Sequence, residues 1–277
     1  MIEVIATLTV HNRVDLTLRA LDAYFRQVVA PDVRLDAILV DDGSTDGTAE
    51  RVRAQFPLVE IIEGDGSLFW SKGMAAAQEV AIQRDPDLLV WLNDDVVLFP
   101  DALDRGLREL ESRTRKAIVV GATQAPGGQV ISGGLRRKRR RPTSQVRVYP
   151  SPVAQLLDTF NGNFVLVPRH AFKLLGTVDG HFAHSYGDID YGLRARKLGV
   201  EAWLLPGTVG ECRPNPLDAS WRYSSHRRSK RLNLLISTKG WPVRDHIYFF
   251  RRHAPIGWPF LVAASYSKAL FLIAIGR

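Results

Sequence analysis

The feature of this sequence that most constrains its fold is a series of short apolar runs, each followed by a segment with helical spacing of apolar residues. Val, Ile and Leu dominate these runs, which span residues 2–10, 35–40, 58–62, 88–92, 117–120, 164–167 and 202–205. Continuous apolar runs are typical of parallel strands that are buried on both faces. We therefore predict an α/β fold with an open, mostly parallel sheet and helices on both faces, of the kind that binds nucleotides.

Polar side chains directly follow three of these runs. Thr9, Asn12 and Arg13 lie at the end of the first run, an Asp-Asp pair at 41–42 ends the second, and Asn-Asp-Asp at 93–95 ends the fourth. In an open α/β sheet, ligands bind in the crevice at the carboxyl ends of the strands. We therefore expect these three groups to converge on one crevice.

The Asp-Asp pair opens the longer motif Asp-Asp-Gly-Ser-Thr-Asp-Gly-Thr at 41–48. Carboxylates at a strand end accept hydrogen bonds from the N–H of a base or from ribose hydroxyls, while glycine permits the tight turn that follows. The alternative interpretation is a plain β-turn-α junction, because Asp-Gly is common turn chemistry.

The second motif, Asn93-Asp94-Asp95, places acidic side chains at the end of a buried apolar strand. Buried acids are costly unless they bind a cation or are solvated. Oxygen ligands of this kind suit Mg²⁺ or Mn²⁺, and such an ion bridges to a diphosphate and neutralises it as it leaves. The alternative is a solvated loop of acidic turn residues.

A third motif, Tyr-Gly-Asp-Ile-Asp-Tyr-Gly-Leu-Arg at 186–194, completes a set of three in chain order within residues 1–212. Together they resemble the motifs of the inverting family 2 glycosyltransferases with the GT-A fold, and the Asn at position 93 resembles the rhamnosyltransferase-like members. The resemblance implies a dTDP- or UDP-linked sugar donor, a divalent metal ion, an aspartate base, and a glycan or lipid-linked acceptor whose hydroxyl receives the sugar.

Carried over position by position, the resemblance assigns roles to single residues. Asp41 and Asp42 match the acids that bind base and ribose, Asn93 and Asp95 match the ends of the metal-binding triplet, and Asp188 matches the base. Gly187 and Cys212 depart from the pattern, because many members have Glu before the base and a metal-binding His after the last core strand. We expect either fewer protein ligands to the metal or a contribution from His226 in the basic segment.

The residues themselves also favour Asp188 over Asp190 as the base. Two positions apart on a helix, these carboxylates point to different faces, and Asp190 has Arg194 four residues on as an ion-pair partner. Asp188 begins the helix, where it can face the crevice and accept the proton of an acceptor hydroxyl. The alternative role for Asp188 is a helix N-cap.

Further site residues are predicted from their positions beside these motifs. Lys72, at the first turn of a helix, is expected to meet a donor phosphate, although it is equally placed to be an exposed surface lysine. Thr9, Asn12, Arg13 and Asp94 are expected on the donor side. The predicted acceptor side comprises Asn161, Gly162 and His184, for which a turn and a structural histidine are the alternatives.

Charge divides the chain into an acidic body and basic appendages. The formal charge is +8, yet residues 136–141 carry six positive charges and residues 213–277 carry +10, which leaves −8 on the remainder. We predict a catalytic domain at 1–212 and a basic, partly apolar helical extension at 213–277 that contacts an anionic membrane surface. For the apolar residues 256–275 we consider a surface-lying helix, a core-packed helix and a spanning helix. Residues 127–144 are predicted to form an irregular loop.

Localisation and competing functions follow from the same features. The single cysteine, Cys212, excludes an intrachain disulfide and fits the cytoplasm, so we expect a cytoplasmic protein that is peripheral on the inner face of the membrane. A nucleotidyltransferase acting on sugar phosphates would more typically show a Gly-rich phosphate loop near the first strand. A nucleic-acid-binding protein would explain the arginine run, but no recognisable binding module accompanies it, so we expect no specific nucleic-acid partner.

Overall fold

The computed structural model describes residues 1–138, 141–214 and 216–276. The strands are β1 Ile2–Val10, β2 Val33–Asp41, β3 Glu60–Glu63, β4 Leu88–Leu92, β5 Val97–Leu98, β6 Ile118–Gln124, β7 Val130–Ser132, β8 Gly134–Lys138, β9 Arg141–Val148, β10 Gln155–Leu157, β11 Thr159–Phe160, β12 Phe164–Pro168 and β13 Ala202–Glu211. The helices are α1 Val14–Phe25, α2 Thr48–Gln55, α3 Phe69–Gln83, α4 Ala102–Ser112, α5 Arg169–Leu175, α6 Gly187–Lys197, α7 Arg228–Ile236, α8 Val243–His253 and α9 Trp258–Ala274.

One large sheet forms the centre of the molecule, with the strand order β10-β13-β6-β12-β4-β1-β2-β3. Strands β4, β1, β2 and β3 are parallel to one another, and β13 is parallel to β6. Strand β12 lies antiparallel between β4 and β6. The predicted α/β class with a mostly parallel sheet is therefore confirmed.

The two faces of the sheet bury alternate side chains of the same strands. In β1, Val4, Ala6 and Leu8 pack on one face with residues of α1, α2 and α4, whereas Ile5 packs on the other. That other face is covered by α3, α5 and α6. Because neighbouring side chains of a strand point to opposite faces, burial on both faces requires the continuous apolar runs seen in the sequence.

A small second sheet, β11-β8-β9, contains residues that we predicted to form an irregular loop. The prediction for 127–144 is wrong in the described part of that segment, because β8 pairs with β9 and with β11. The charged residues of β8 do not form the apolar pattern from which a strand is predicted. Strand β8 gains its backbone partners from β9 and β11, and Gly134 is the only residue of β8 that is buried.

The C-terminal segment from residue 213 contains α7, α8 and α9, and it packs against the preceding part of the chain. Phe249 and Phe250 of α8 join Phe182 and Leu193 in one apolar cluster, which seats α8 on α6. Helix α9 buries Ala269 and Ile273 against α7. In the described part of the chain, no helix is both long and apolar enough to cross a bilayer.

Candidate active site

The ends of β1 and β2 lie side by side, which joins the first two polar groups. Val10 is opposite Asp41 in the strand register. The Asn12 main-chain N–H donates to the Ser44 hydroxyl at 2.9 Å, and the Asn12 side-chain oxygen accepts from the Thr45 N–H at 2.7 Å. Asn12 has a φ of +53°, a left-handed conformation that Asn tolerates better than most residues. The Asn12 side chain therefore fixes the loop after β2.

Asp41 and Asp42 are both buried, and main-chain N–H groups hold their carboxylates. The Asp42 carboxylate accepts from Gly66 at 2.8 Å, Leu68 at 3.0 Å and Phe69 at 2.8 Å, so it fixes the loop that leads into α3. One oxygen of Asp41 accepts from the Ser44 N–H at 3.0 Å. The two acids thus shape the wall of the crevice beside β1 and β2.

Arg13 connects the first polar group with the acidic triplet. Its guanidinium lies 3.1 Å from an oxygen of Asp94 and 3.3 Å from an oxygen of Asp95. Burial raises the pKa of Asp94 to about 7, against the opposing effect of Arg13. Burial also raises the pKa of Asp95, and Arg13 again opposes it. The positive charge of one arginine does not balance the negative charges of these two carboxylates. A further cation would therefore stabilise the charged forms of Asp94 and Asp95.

Both polar atoms of the Asn93 side-chain amide form hydrogen bonds within the protein. Its oxygen accepts from the Trp70 indole N–H at 2.8 Å, and its amide nitrogen donates to the Asn163 side-chain oxygen at 3.2 Å. The indole N–H uses one of the two lone pairs of the oxygen that would bind a metal. Asn93 is therefore placed to hold the β4 end against α3 and the turn before β12.

The donor atoms in this crevice suit a hard cation held by carboxylates. Asp94 and Asp95 are adjacent and share one guanidinium, and carboxylate oxygens are preferred ligands of Mg²⁺ and Mn²⁺. Cys212 lies near them, but burial raises the pKa of its thiol, and the charge of Asp95 adds to this effect. Among the described residues, no group of three or more His, Cys, Asp and Glu side chains is arranged to hold a metal. A cation here would take its other ligands from the diphosphate and from water.

His226 has contacts within the C-terminal extension. Its Nε2 lies 2.7 Å from the Asp218 carbonyl oxygen, and its ring meets the Tyr223 ring edge-on at 5.0 Å. These contacts account for the orientation of the imidazole without a metal ion. The expectation that His226 supplies a metal ligand stays a prediction.

Asp188 lies in the first turn of α6 with its carboxylate held at both oxygens. Its Oδ2 accepts from the Gly162 N–H at 3.0 Å, and its Oδ1 accepts from the Ile189 N–H at 2.8 Å. Burial raises the pKa of Asp188, while the N–H groups of Ile189 and Gly162 and the side chain of Asn161 act in the opposite direction. The result is a carboxylate of fixed orientation that is more basic than an exposed aspartate.

Gly162 brings Asp188 and the acidic triplet into one crevice. A Cβ atom at this position would lie 2.5 Å from the Trp70 ring and 3.4 Å from the Asp188 Cβ. The same Trp70 donates its indole N–H to Asn93. The contact chain from Asp188 to Asn93 therefore depends on a glycine that leaves room for the Trp70 ring.

His184 borders the same crevice from the segment that precedes α6. Its carbonyl oxygen accepts from the Ser71 hydroxyl at 3.2 Å, near the start of α3. Burial lowers the pKa of His184 to about 4, and the charges of Lys239 and Arg13 add to the effect. His184 is therefore neutral at pH 7 and lies within electrostatic range of the cations on both sides.

The remaining predicted residues occupy the wall formed by α3. Thr9 is in contact with Gly73, so the first turns of α3 run along the end of β1. Lys72 is exposed on this turn, and its charge helps to lower the pKa of Asp65. Both residues therefore lie on the side of the crevice where β1 ends.

Asp190 has the structural role that its spacing predicted. Its Oδ2 lies 2.8 Å from Arg194, which confirms the expected ion pair. Its Oδ1 lies 2.9 Å from Arg252 and 2.8 Å from His253, both on α8. The extension is therefore tied to α6 by charge as well as by apolar packing.

The sequence reasoning missed three side chains that organise the site. Trp70 and Asn163 link the triplet to the turn before β12. Tyr186, with a φ of +76°, precedes α6 and its hydroxyl lies 2.6 Å from His246 Nδ1 on α8. Each of them lies beside a predicted site residue, but the sequence does not indicate these contacts, because the partners are distant in the chain.

Comparison with known proteins assigns the class of this protein. Residues 6–167 match the profile of the family described as glycosyl transferase family 2. This match covers more than half of the chain and includes the first two motifs, strands β2, β3 and β4, and most of β1. The chain belongs to the family 2 glycosyltransferases.

Particular relatives and solved structures agree with this assignment. The N-acetylglucosaminyl-diphospho-decaprenol L-rhamnosyltransferase of Mycobacterium tuberculosis is 26% identical over 246 residues, which cover 77% of this chain and 78% of that protein. The mannosyltransferase PcManGT from Pyrobaculum calidifontis, solved with GDP-Man and Mn²⁺, aligns with a TM-score of 0.55, 20% identity, 99% of this chain and 73% of its own. S. aureus TarS 1-349 in complex with UDP aligns with a TM-score of 0.57, 12% identity, 86% of this chain and 66% of its own. At these identities the solved structures show a shared fold.

Proposed function

We propose that this glycosyltransferase transfers a sugar with inversion from a nucleotide diphosphate sugar to a hydroxyl group, with Asp188 as the general base. The observation that carries the proposal is the position of Gly162 between Trp70 and Asp188. The indole N–H of the same Trp70 donates a hydrogen bond to Asn93 of the acidic triplet. A single displacement requires a base beside the acceptor hydroxyl and a cation site beside the leaving diphosphate. Asp188 and the acidic triplet would supply these two parts in one crevice. The family membership favours this function over a nucleotidyltransferase or a nucleic-acid-binding protein.

The chemistry needs one proton acceptor and a stabilised leaving group. The acceptor hydroxyl gives its proton to the Asp188 carboxylate as its oxygen attacks the anomeric carbon. The bond from that carbon to the donor phosphate breaks on the opposite face, so the nucleotide diphosphate leaves and the configuration inverts. One carboxylate is sufficient, because no covalent intermediate forms on the protein.

The acids beside Arg13 would hold the cation that this family resemblance implies. Asp95, with Asp94 beside it, would offer carboxylate oxygens to Mg²⁺ or Mn²⁺, which when bound would neutralise the negative charge of the departing diphosphate. Arg13 contributes positive charge from the protein itself. The mannosyltransferase PcManGT was solved with Mn²⁺, which supports this part of the proposal.

The donor side of the crevice would be formed by the ends of β1 and β2 and the start of α3. Thr9, Asn12, Asp41 and Asp42 shape the part expected to hold base and ribose, and Lys72 lies at the first turn of α3. We propose a dTDP- or UDP-linked donor, with rhamnose favoured by the M. tuberculosis relative. On the acceptor side, Asn161 and Gly162 contact Asp188 and His184 lies in the segment before α6, and the acceptor would be a glycan or a lipid-linked sugar.

The extension would attach the protein peripherally to the inner face of the cytoplasmic membrane. Helix α9 exposes an apolar face at helical spacing, where Phe260 is 80% exposed and Phe271 is 63% exposed. Arg251 and Lys268 are also exposed and would meet anionic headgroups. The double variant Phe260→Glu, Phe271→Glu should lose binding to anionic vesicles, and undiminished vesicle binding would contradict the attachment.

The direct test of the proposed function is a panel of nucleotide sugars with and without Mn²⁺. We expect one dTDP- or UDP-sugar to stabilise the protein against thermal unfolding only when the metal is present. NMR of the transferred sugar should show the anomeric configuration opposite to that of the donor. Retention of configuration would contradict a single displacement on Asp188.

A further inference from the structure

An apolar groove lies between α7 and α9, outside the crevice described above. It encloses about 390 Å³, and its apolar lining residues are Leu232, Leu235, Ile236, Val243, Val262 and Leu270. Ile236 is 54% exposed and Leu270 is 47% exposed, so the groove is open at the surface. Its size falls within the range of small-molecule sites in proteins, and open apolar surface of this kind is costly in water unless it has a partner.

The groove is connected to the active site through the loop between α7 and α8. Tyr266 lines the groove, and its hydroxyl donates to the Trp241 carbonyl oxygen at 2.6 Å. Three residues earlier, the Thr238 carbonyl oxygen accepts from the Ser185 hydroxyl at 3.2 Å. Ser185 lies three residues before Asp188. One short loop, residues 237–241, therefore spans the distance between groove and base.

Two cations lie along this connection. The Arg222 guanidinium stacks over the rings of Trp221 at 4.3 Å and Trp241 at 5.5 Å. Lys239 is exposed within the loop, and its charge reaches His184. Within the part of the chain that the structure describes, no acidic side chain forms an ion pair with either cation. A strip of positive charge thus separates the apolar groove from the catalytic carboxylate.

The order of these features matches one kind of molecule. Along this connection they are an apolar groove, two cations and a carboxylate that would accept a proton. We propose that the groove holds the hydrocarbon chain of an acceptor in which a phosphate group joins the chain to the sugar, with Arg222 and Lys239 binding the phosphate. This inference rests on the proposed function and names the acceptor class as a lipid phosphate.

Binding of alkyl phosphates to the full chain tests the proposal without knowledge of the acceptor sugar. The probes are dodecyl phosphate, ethyl phosphate and the uncharged dodecyl glucoside, each below its micelle concentration and titrated by calorimetry. A buried methylene contributes roughly fourfold in affinity, so burial of about three to four of its ten additional methylenes should make dodecyl phosphate bind about a hundredfold tighter than ethyl phosphate. It should also bind at least about tenfold tighter than dodecyl glucoside, because two cations meet its charge.

Variants assign the binding to the groove and its cations. Ile236→Glu, at a half-exposed edge of the groove, should bring dodecyl phosphate to within about threefold of ethyl phosphate. Arg222→Ala with Lys239→Ala should remove the preference for the phosphate over the glucoside. Leu174→Glu is the matched control, because Leu174 on α5 is 48% exposed and lies outside the groove, and this variant should bind as the native protein does.

Two results would overturn the proposal. One is equal affinity for dodecyl and ethyl phosphate, and the other is undiminished dodecyl phosphate binding by Ile236→Glu. Donor binding with Mn²⁺, measured on the same preparations, separates this failure from a failure of the proposed function. Normal donor binding without alkyl phosphate binding refutes only the acceptor groove, and loss of donor binding in the native protein refutes the transferase site itself.

Discussion

Replacing Gly162 by alanine should disconnect the two halves of the active site. The new Cβ would lie 2.5 and 2.7 Å from two atoms of the Trp70 ring, closer than carbon atoms approach in folded proteins. The ring cannot retreat freely, because it packs edge-on against the buried Trp91 at 6.2 Å and donates to Asn93 at 2.8 Å. Either Trp70 or the turn that carries Gly162 has to move.

The magnitude follows from these contacts. Overpacking by one methyl group costs about 1–3 kcal/mol, and loss of the Trp70–Asn93 hydrogen bond adds about 1 kcal/mol. The free energy of unfolding should therefore fall by roughly 2–4 kcal/mol. Asp188 accepts from the Gly162 N–H, so the base shifts with the turn, and a displacement of about 1 Å costs on the order of a hundredfold in rate.

Urea unfolding and transfer of a labelled sugar measure the two effects. Gly180→Ala is the matched control, because a Cβ there would meet nothing closer than Ala75 at 4.0 Å and should leave both quantities unchanged. Gly162 does not have a positive φ, so alanine can adopt its backbone conformation. Backbone strain therefore does not contribute to the expected loss of stability. Native stability and native rate in Gly162→Ala would refute the proposed role of this glycine.

Three further predictions concern the acids around the crevice. Asp95→Ala should weaken metal-dependent donor binding about tenfold or more, because it removes a carboxylate suited to the cation; equal affinities by calorimetry would contradict this. Asn161→Ala should move the acidic limb of the pH–rate profile to higher pH, since the Asn161 hydrogen bond lowers the pKa of Asp188 and the base must be deprotonated; an unmoved limb would exclude Asp188. Asp190→Asn should cost about 3 kcal/mol in urea unfolding, because Arg194 and Arg252 lose a buried partner, and an unchanged midpoint would disprove that role.

The parallel part of the fold was predictable because burial on both faces leaves a mark in the sequence. Strand β1 needs apolar side chains at both odd and even positions, and the same holds for β2 and β4. The role of Asp190 was predictable for a similar reason, since a helix brings residues four apart together and Arg194 stands at that spacing. These features depend on local geometry alone.

The links that assemble the crevice were not predictable from local patterns. Trp70 reaches Asn93 only because a position ninety-two residues later is a glycine, and nothing near Trp70 in the sequence indicates this. The Asp42 carboxylate accepts main-chain N–H groups from the loop before α3, and its strand-end motif does not indicate this contact. The β8–β9 hairpin likewise depends on partners in space, because its many basic residues suggest a solvated loop.

The most direct test of the central claim separates donor binding from transfer in Asp188→Asn. Asparagine keeps the shape of the side chain and its oxygen acceptor for the Gly162 N–H, but it cannot take a proton at pH 7. We expect donor affinity with Mn²⁺ to stay within about twofold of native, and transfer to fall by roughly 10²–10⁴-fold. Transfer at the native rate would contradict the assignment of Asp188 as the group that deprotonates the acceptor.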